Sequence, residues 1–214
     1  MSKNIGILGS GAVAKALGAG FIKHGYNVMV GTTNPAKLDD WVSKNSAAQI
    51  GSFEDAAKFG DIVVVAVKGH AATSVLNSAG IANLAGKTVI DTTNPIDETK
   101  PPVNGVLNYF TTDKSLIELL QEAAPDANFV KAFNSIGSHL MVNPPFPQKA
   151  TMFICGNNDE ARKEVSAILD QFGFEVEDSG KANAGRAVEA LCILWCIPGF
   201  AQNRWAQGFR LMNL

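Results

Sequence analysis

The chain has 214 residues, 46% of them hydrophobic and 18% charged, which suits one sizeable α/β domain or a domain with a small appendage. A formal net charge of −2, with no lysine–arginine cluster, excludes the electrostatic footprint of a nucleic-acid binder. Cys155, Cys192 and Cys196 form no CxxC pair and, being odd in number, no disulfide framework, so a reducing, cytoplasmic setting is expected.

Ile5 to Leu8 is a short apolar run of the kind buried in a parallel sheet. It feeds into Gly9-Ser10-Gly11-Ala12-Val13-Ala14, a Gly-x-Gly-x-x-Ala string that opens a helix. Gly9 permits a tight turn, Gly11 lets the backbone approach a pyrophosphate, and Ala14 lets the helix pack close to the strand. The free amides and the dipole at that helix start hold phosphates. Lys3, the apolar run and Ala12-Val13-Ala14 loosely imitate a secretory leader. Lys15 and the glycines from Gly6 to Gly18 interrupt its apolar core, so no leader is expected.

A helix is expected from Ala12 to His24, with Gly18 and Gly20 inside it for close packing. A strand follows at Asn27–Gly31, then a helix beginning at Asn34-Pro35, and a short strand at Gln49-Ile50. Ser52 caps a short helix, Asp61–Val67 is a buried strand and Thr88–Asp91 another, and Thr92–Gly105 reads as loop. Further strands are expected at Asn128–Phe133, Ala150–Cys155 and Phe174–Glu177, the last two separated by a helix from Asp159 to Phe172. From Ala182 the chain reads as mostly helical, interrupted at Pro198-Gly199. This alternation predicts an NAD(P)-binding Rossmann fold, a doubly wound and mostly parallel sheet with a C-terminal helical arm. Residues 1–150 form the dinucleotide-binding core, and 151–214 the sheet extension and helical arm of one compact domain. The longest apolar stretch, Ala190–Ala201, has 12 residues and contains Pro198, short of the roughly 20 that cross a bilayer, so no membrane is expected.

An NAD site places a carboxylate on the ribose 2′-hydroxyl. No carboxylate occurs between Gly25 and Leu38; Thr32, Thr33, Asn34 and Lys37 stand there instead, which favours NADP. The same residues also read as an ordinary cap and turn, and a capped helix start is itself an anion site. Strand ends bring five segments to the dinucleotide: Gly9 to Val13 (with Ser10, Gly11 and Ala12), Thr32 to Lys37, Val67-Lys68, Thr93-Asn94-Pro95 and Asn134 to Ile136. The amides of Asn94 and Asn134 suit the nicotinamide carboxamide or the orientation of an acceptor. Lys68 reads equally as a ligand of phosphate or substrate and as a solvated strand end. His70 and His139 read as loop or helix-start residues and neither is expected to be essential, His139 being the stronger candidate of the two; no catalytic acid is assigned. Cys192 and Cys196 lack partner ligands, so no metal site is expected. Trp195, Phe200, Trp205 and Phe209 make an aromatic arm suited to core packing, a homodimer contact or a wall of the acceptor pocket.

Several strand-end motifs, taken in order, carry a family resemblance. They are Gly9-Ser10-Gly11, Val30-Gly31-Thr32, Asp91-Thr92-Thr93-Asn94-Pro95, Val130-Lys131-Ala132-Phe133-Asn134-Ser135-Ile136, Cys155-Gly156-Asn157-Asn158-Asp159, and Gly180 with Arg186 and Glu189. Their order and spacing resemble the NADP-dependent oxidoreductases related to coenzyme F420-dependent NADP reductase, which share their dinucleotide domain with the STEAP metalloreductases. The resemblance implies hydride transfer between NADP(H) and a small-molecule redox acceptor: a coenzyme F420-like deazaflavin, a flavin, a quinone or a ferric complex. It places Asn134 and Ile136 near the nicotinamide, with Ile136 pressing the ring toward the acceptor. Thr33 stands where the family often carries an arginine for the 2′-phosphate, with Lys37 or Asn34 as compensation. Reduction of a deazaflavin, flavin or metal complex need not have a dedicated side-chain acid. The alternative is a non-catalytic NADP(H)-binding module that signals redox state to a partner.

Overall fold

The structure, a computed structural model, describes residues 2–212. Its centre is an eight-stranded sheet of β1 (Asn4–Leu8), β2 (Asn27–Gly31), β3 (Gln49–Gly51), β4 (Ile62–Val65), β5 (Thr88–Asp91), β6 (Asn128–Lys131), β7 (Thr151–Gly156) and β8 (Glu175–Asp178). The spatial order is β3-β2-β1-β4-β5-β6-β7-β8. Strands β1 to β6 are parallel; β7 runs antiparallel to β6, pairing Lys131 with Cys155, and β8 runs parallel to β7. The order reverses between β1 and β4, which opens a crevice above their carboxyl ends.

The helices are α1 (Ala12–Lys23), α2 (Asp39–Lys44), α3 (Phe53–Phe59), α4 (Ala72–Ala79), α5 (Leu116–Ala123), α6 (Asp159–Gln171) and α7 (Gly185–Gln202). They cover both faces of the sheet, because alternate strand residues point to opposite sides. On one face Leu17 and Phe21 of α1 and Val165 and Ile168 of α6 bury Ile5, Ile7, Val64 and Ile90. On the other, α3, α4 and α5 bury Leu8, Val63, Val65 and Val89. Each such side chain contributes about 1.5–3 kcal/mol when taken from water.

Three sequence expectations are corrected. The helical arm is not interrupted at Pro198-Gly199: α7 runs through both to Gln202. Pro198 removes one amide donor, yet the helix continues until Asn203 closes it in the left-handed conformation at φ +52°. The chain beyond is not helical. Trp205 packs on Gly199, and residues 206–211 return to β7, where the Thr151 amide donates to the Phe209 carbonyl at 2.8 Å. The helix expected at Asn34-Pro35 begins as a 3-10 turn, Pro35–Leu38, before α2. Ala182–Gln202 is also long and apolar enough to match a bilayer-crossing helix by length and composition alone, with a mean hydropathy of 1.4 over an 18-residue window, more than the 12-residue run suggested.

Three charges lie in the core of this α/β architecture. Lys131, at the end of β6, is fully buried, with Nζ 2.6 Å from Asp91 Oδ2 and 2.8 Å from Glu189 Oε1. It also donates to the Thr93 carbonyl at 2.7 Å. Glu189 accepts from the amides of Leu116 at 2.8 Å and Ile117 at 3.0 Å, so a carboxylate from α7 caps α5. Burial disfavours the Lys131 ammonium, but the two carboxylates outweigh it and its pKa is raised. At the surface end of the same junction, Glu118 accepts from Arg186 and from the Ser115 amide. The Arg186 hydrogen bond, ahead of Ser115, holds the Glu118 carboxyl down to about 2 from an ordinary 4.5.

Lys131→Met, which strands two buried carboxylates, is expected to cost about 3–5 kcal/mol in urea unfolding. Glu118 titrates lower in the folded state, so its contribution is complete above about pH 4.5 and is lost as the pH falls toward about 2. The urea midpoint should therefore drop between about pH 5 and pH 2.5, and drop less in Arg186→Ala.

Candidate functional site

A cleft of about 530 Å³ lies above the ends of β1, β4 and β5. One wall is Ser10, Gly11, Ala12 and Val13, at the turn from β1 into α1. Gly9, just beneath, has φ +133°, and a β-carbon there would lie 2.2 Å from the Ala66 carbonyl oxygen. Gly11 is different: a β-carbon on it would meet nothing within 4 Å, so the space over its backbone is open to a ligand. Among the described residues no side chain caps the first turn of α1, and that turn contains no acid. Its amides and the positive end of its dipole are therefore open to an anion.

Beside this wall stands a shoulder formed by residues 32–37. Thr32 is nearly buried; its hydroxyl donates to Ser10 Oγ at 2.9 Å and accepts from the Asn34 amide at 3.1 Å, tying the two turns together. Thr33, Asn34 and Lys37 are exposed on it. Lys15 of α1 donates to the Lys37 carbonyl at 2.7 Å, fixing the turn from below. This shoulder borders the cleft and does not line it.

The opposite wall comes from Val67, Lys68 and His70 after β4 and from Thr92, Thr93, Asn94, Ile96 and Glu98 after β5. Asn94 donates to the Asn134 carbonyl at 2.8 Å, and Asn134 donates to Asn94 Oδ1 at 3.3 Å and to the Val188 carbonyl at 2.9 Å. Asn134 Oδ1 is buried and has no hydrogen-bond partner among the described residues. An orphaned acceptor of this kind fits a ligand amide. Pro95 follows in the turn, its carbonyl accepting from the Phe110 amide. Ile136 is 8% exposed and packs into the core below.

Sequence reasoning missed three features here. Phe133 is buried with φ +61°, a conformation that costs a bulky residue about 1–3 kcal/mol and turns the chain so that Asn134 meets Asn94. Residues 92–115, read in part as loop, form a folded flap bridged at Ile96–Tyr109 and Val103–Val106. Its length alone is the usual sign of a functional loop. Tyr109 anchors the flap by donating to the Glu189 carbonyl at 2.6 Å, and burial pushes its phenol pKa up. Glu98 rides on the flap and pairs with Lys68 at 2.8 Å.

Comparison with known proteins agrees with the motifs. Residues 4–95 match the family model described as NADP oxidoreductase, coenzyme F420-dependent. Metalloreductase STEAP3 of Rattus norvegicus is 30% identical over 198 residues, covering 91% of this chain and 38% of that protein. The chain thus spans well under half the length of the STEAP relatives it matches. The F420-dependent NADP reductase of Methanocaldococcus jannaschii is 26% identical over 162 residues, 75% of this chain and 72% of that one. A crystal structure from Arthrobacter sp. FB24, provisionally described as an F420-dependent NADP-reductase, aligns over 100% of both chains with a TM-score of 0.91 at 27% identity.

Gly11→Val tests the first wall, since it fills the open space without touching a neighbour. It should cost about 1 kcal/mol or less in stability through the poorer cap, while dinucleotide binding by calorimetry weakens at least about tenfold.

Proposed function

We propose that this chain, whose residues 4–95 match the family model described as NADP oxidoreductase, coenzyme F420-dependent, belongs to that family, binds NADP(H) along the cleft and moves hydride between it and a small redox acceptor. The observation that carries the reading is the pairing of an uncapped, acid-free helix start at one end of the site with Asn94 at the other, backed by the unpartnered Asn134 Oδ1. The amides opening α1 would hold the diphosphate. Asn134 Oδ1 would accept from the nicotinamide carboxamide, with Asn94 keeping its amide group in place. Thr32, Asn34 and Lys37 would face the 2′-phosphate. When bound, the reduced nicotinamide supplies the hydride; the protein supplies distance, orientation and exclusion of water. Lys131 supports this indirectly, by fixing the Thr93 carbonyl one residue before Asn94.

Calorimetry with NADPH and NADP, followed by NADPH oxidation against deazaflavin, flavin, quinone and ferric acceptors, tests the proposal. Heat of binding and loss of the reduced-nicotinamide absorbance with at least one acceptor are expected. Binding without turnover across the panel would favour the redox-sensing alternative, and no binding of either redox form would overturn both.

Asn134→Leu should lower kcat/KM for NADPH about tenfold and, because it leaves the buried Val188 carbonyl without its donor, also cost about 1–3 kcal/mol in stability. Thr33→Arg should raise the preference for NADPH over NADH about tenfold, because a guanidinium grips a phosphate with two parallel bonds.

A further inference from the structure

The rim of the cleft carries charges for which binding a dinucleotide gives no reason. Among the described residues lining it, Lys68, His70 and Glu98 are the only ionisable ones. Lys68 Nζ lies 2.8 Å from Glu98 Oε1, and His70 Nδ1 faces Glu98 Oε2 at 3.8 Å. The flap holds the carboxylate there: the Asp97 amide donates to the Asn108 carbonyl at 2.8 Å, and the Asp97 carboxylate fastens Thr99 and Lys100. A carboxylate on the rim of a polyanion's site repels that ligand, so its position calls for another role.

His70 stands at the nicotinamide half. The turn that carries it presses on Asn94, since a β-carbon on Gly69 would lie 2.1 Å from the Asn94 carbonyl oxygen. The nearby hydroxyls are committed elsewhere: Thr92 donates to the Val65 carbonyl at 2.9 Å and Thr93 to Asp91 Oδ1 at 2.6 Å. Imidazole is the side chain suited to giving and recovering a proton near neutrality.

We infer that His70, whose Nδ1 faces the Glu98 carboxylate at 3.8 Å, delivers from Nε2 the proton that a conjugated two-electron acceptor of the quinone or flavin type takes up together with hydride. The inference rests on the NADP(H) reading above. The balance is NADPH plus acceptor plus one proton giving NADP plus the reduced acceptor. The nicotinamide C–H bond breaks and its electron pair forms a new bond to the acceptor. The acceptor's π bond opens, a proton leaves His70 for the acceptor oxygen or nitrogen, and the imidazole regains one from water. A ferric complex takes electrons without a proton and has no use for this pair.

The test compares His70→Ala, His70→Gln and Glu98→Gln with the parent chain. His70 and Glu98 side chains are 55% and 44% exposed, so these variants should fold, and thermal melts check that they do. Menadione needs a proton with its hydride; N-methylacridinium takes hydride alone. Both His70 variants should lose about 100-fold in kcat with menadione and less than about twofold with N-methylacridinium, and Glu98→Gln should lose less than either on menadione. Without turnover, the His70 ring-proton signal, identified among the three histidines by its absence in His70→Ala, should shift when a naphthol that mimics the reduced product is added. Equal losses with both acceptors, or an unmoved His70 signal, would overturn the role of His70 while leaving the dinucleotide reading intact. Failure of the parent chain to bind NADPH would overturn both.

Discussion

One buried ammonium joins four parts of this protein. Lys131 sits at the end of β6 and grips Asp91 at the end of β5, the Thr93 carbonyl beyond it, and Glu189 on α7. Glu189 in turn holds the start of α5. A lysine with no access to water is unfavourable alone, and two carboxylates without it would be worse. Together they make each element's position conditional on the others. The site loops therefore begin from strand ends that cannot slide independently.

That fixity is what allows strain at the site. Phe133 holds a left-handed backbone while its ring packs against Phe172 and Phe174 in the core. The outcome is a pair of asparagines locked amide to backbone, with one acceptor left over. The flap is organised in the same way: Tyr109 reaches the backbone of α7 at the very residue that caps α5. Cleft wall, flap and helical arm thus share one anchorage.

The fold was largely legible in the sequence, because central strands such as β1 and β4 are short apolar runs and helix starts such as Ser52 before α3 carry a capping signature. Gly9-Ser10-Gly11 was legible from its local pattern, although part of the demand for glycine at Gly9 comes from the Ala66 carbonyl of a distant segment. What escaped were features set by distant partners. Lys131 and Glu189 could be noted as motif residues, but nothing in the chain says that a lysine in one segment meets a glutamate 58 positions later. Pro198 reads as a helix breaker by every local rule, and only the packing of Trp205 on the following turn accompanies an unbroken helix. Glu98 lay in a stretch rich in proline and polar residues that reads as loop, and its partners come from the turn after β4. Ser10, Gly11, Ala12, Val13, Val67, Lys68 and Asn94 line the cleft. Thr32 to Lys37 border it, and Asn134 reaches it through Asn94.

The reversal of β7 gives the cleft an electrical direction. Because β7 runs against β6, α6 begins at the opposite edge of the sheet, and its partial positive charge points away from the ligand. At α5 the same polarity is already neutralised by a buried carboxylate. The opening of α1 keeps its own unopposed. A polyanion entering this groove meets an unopposed helix start at one extremity and, at the other, a rim where Lys68 is already paired with Glu98, so a phosphorylated head is drawn toward the opening of α1.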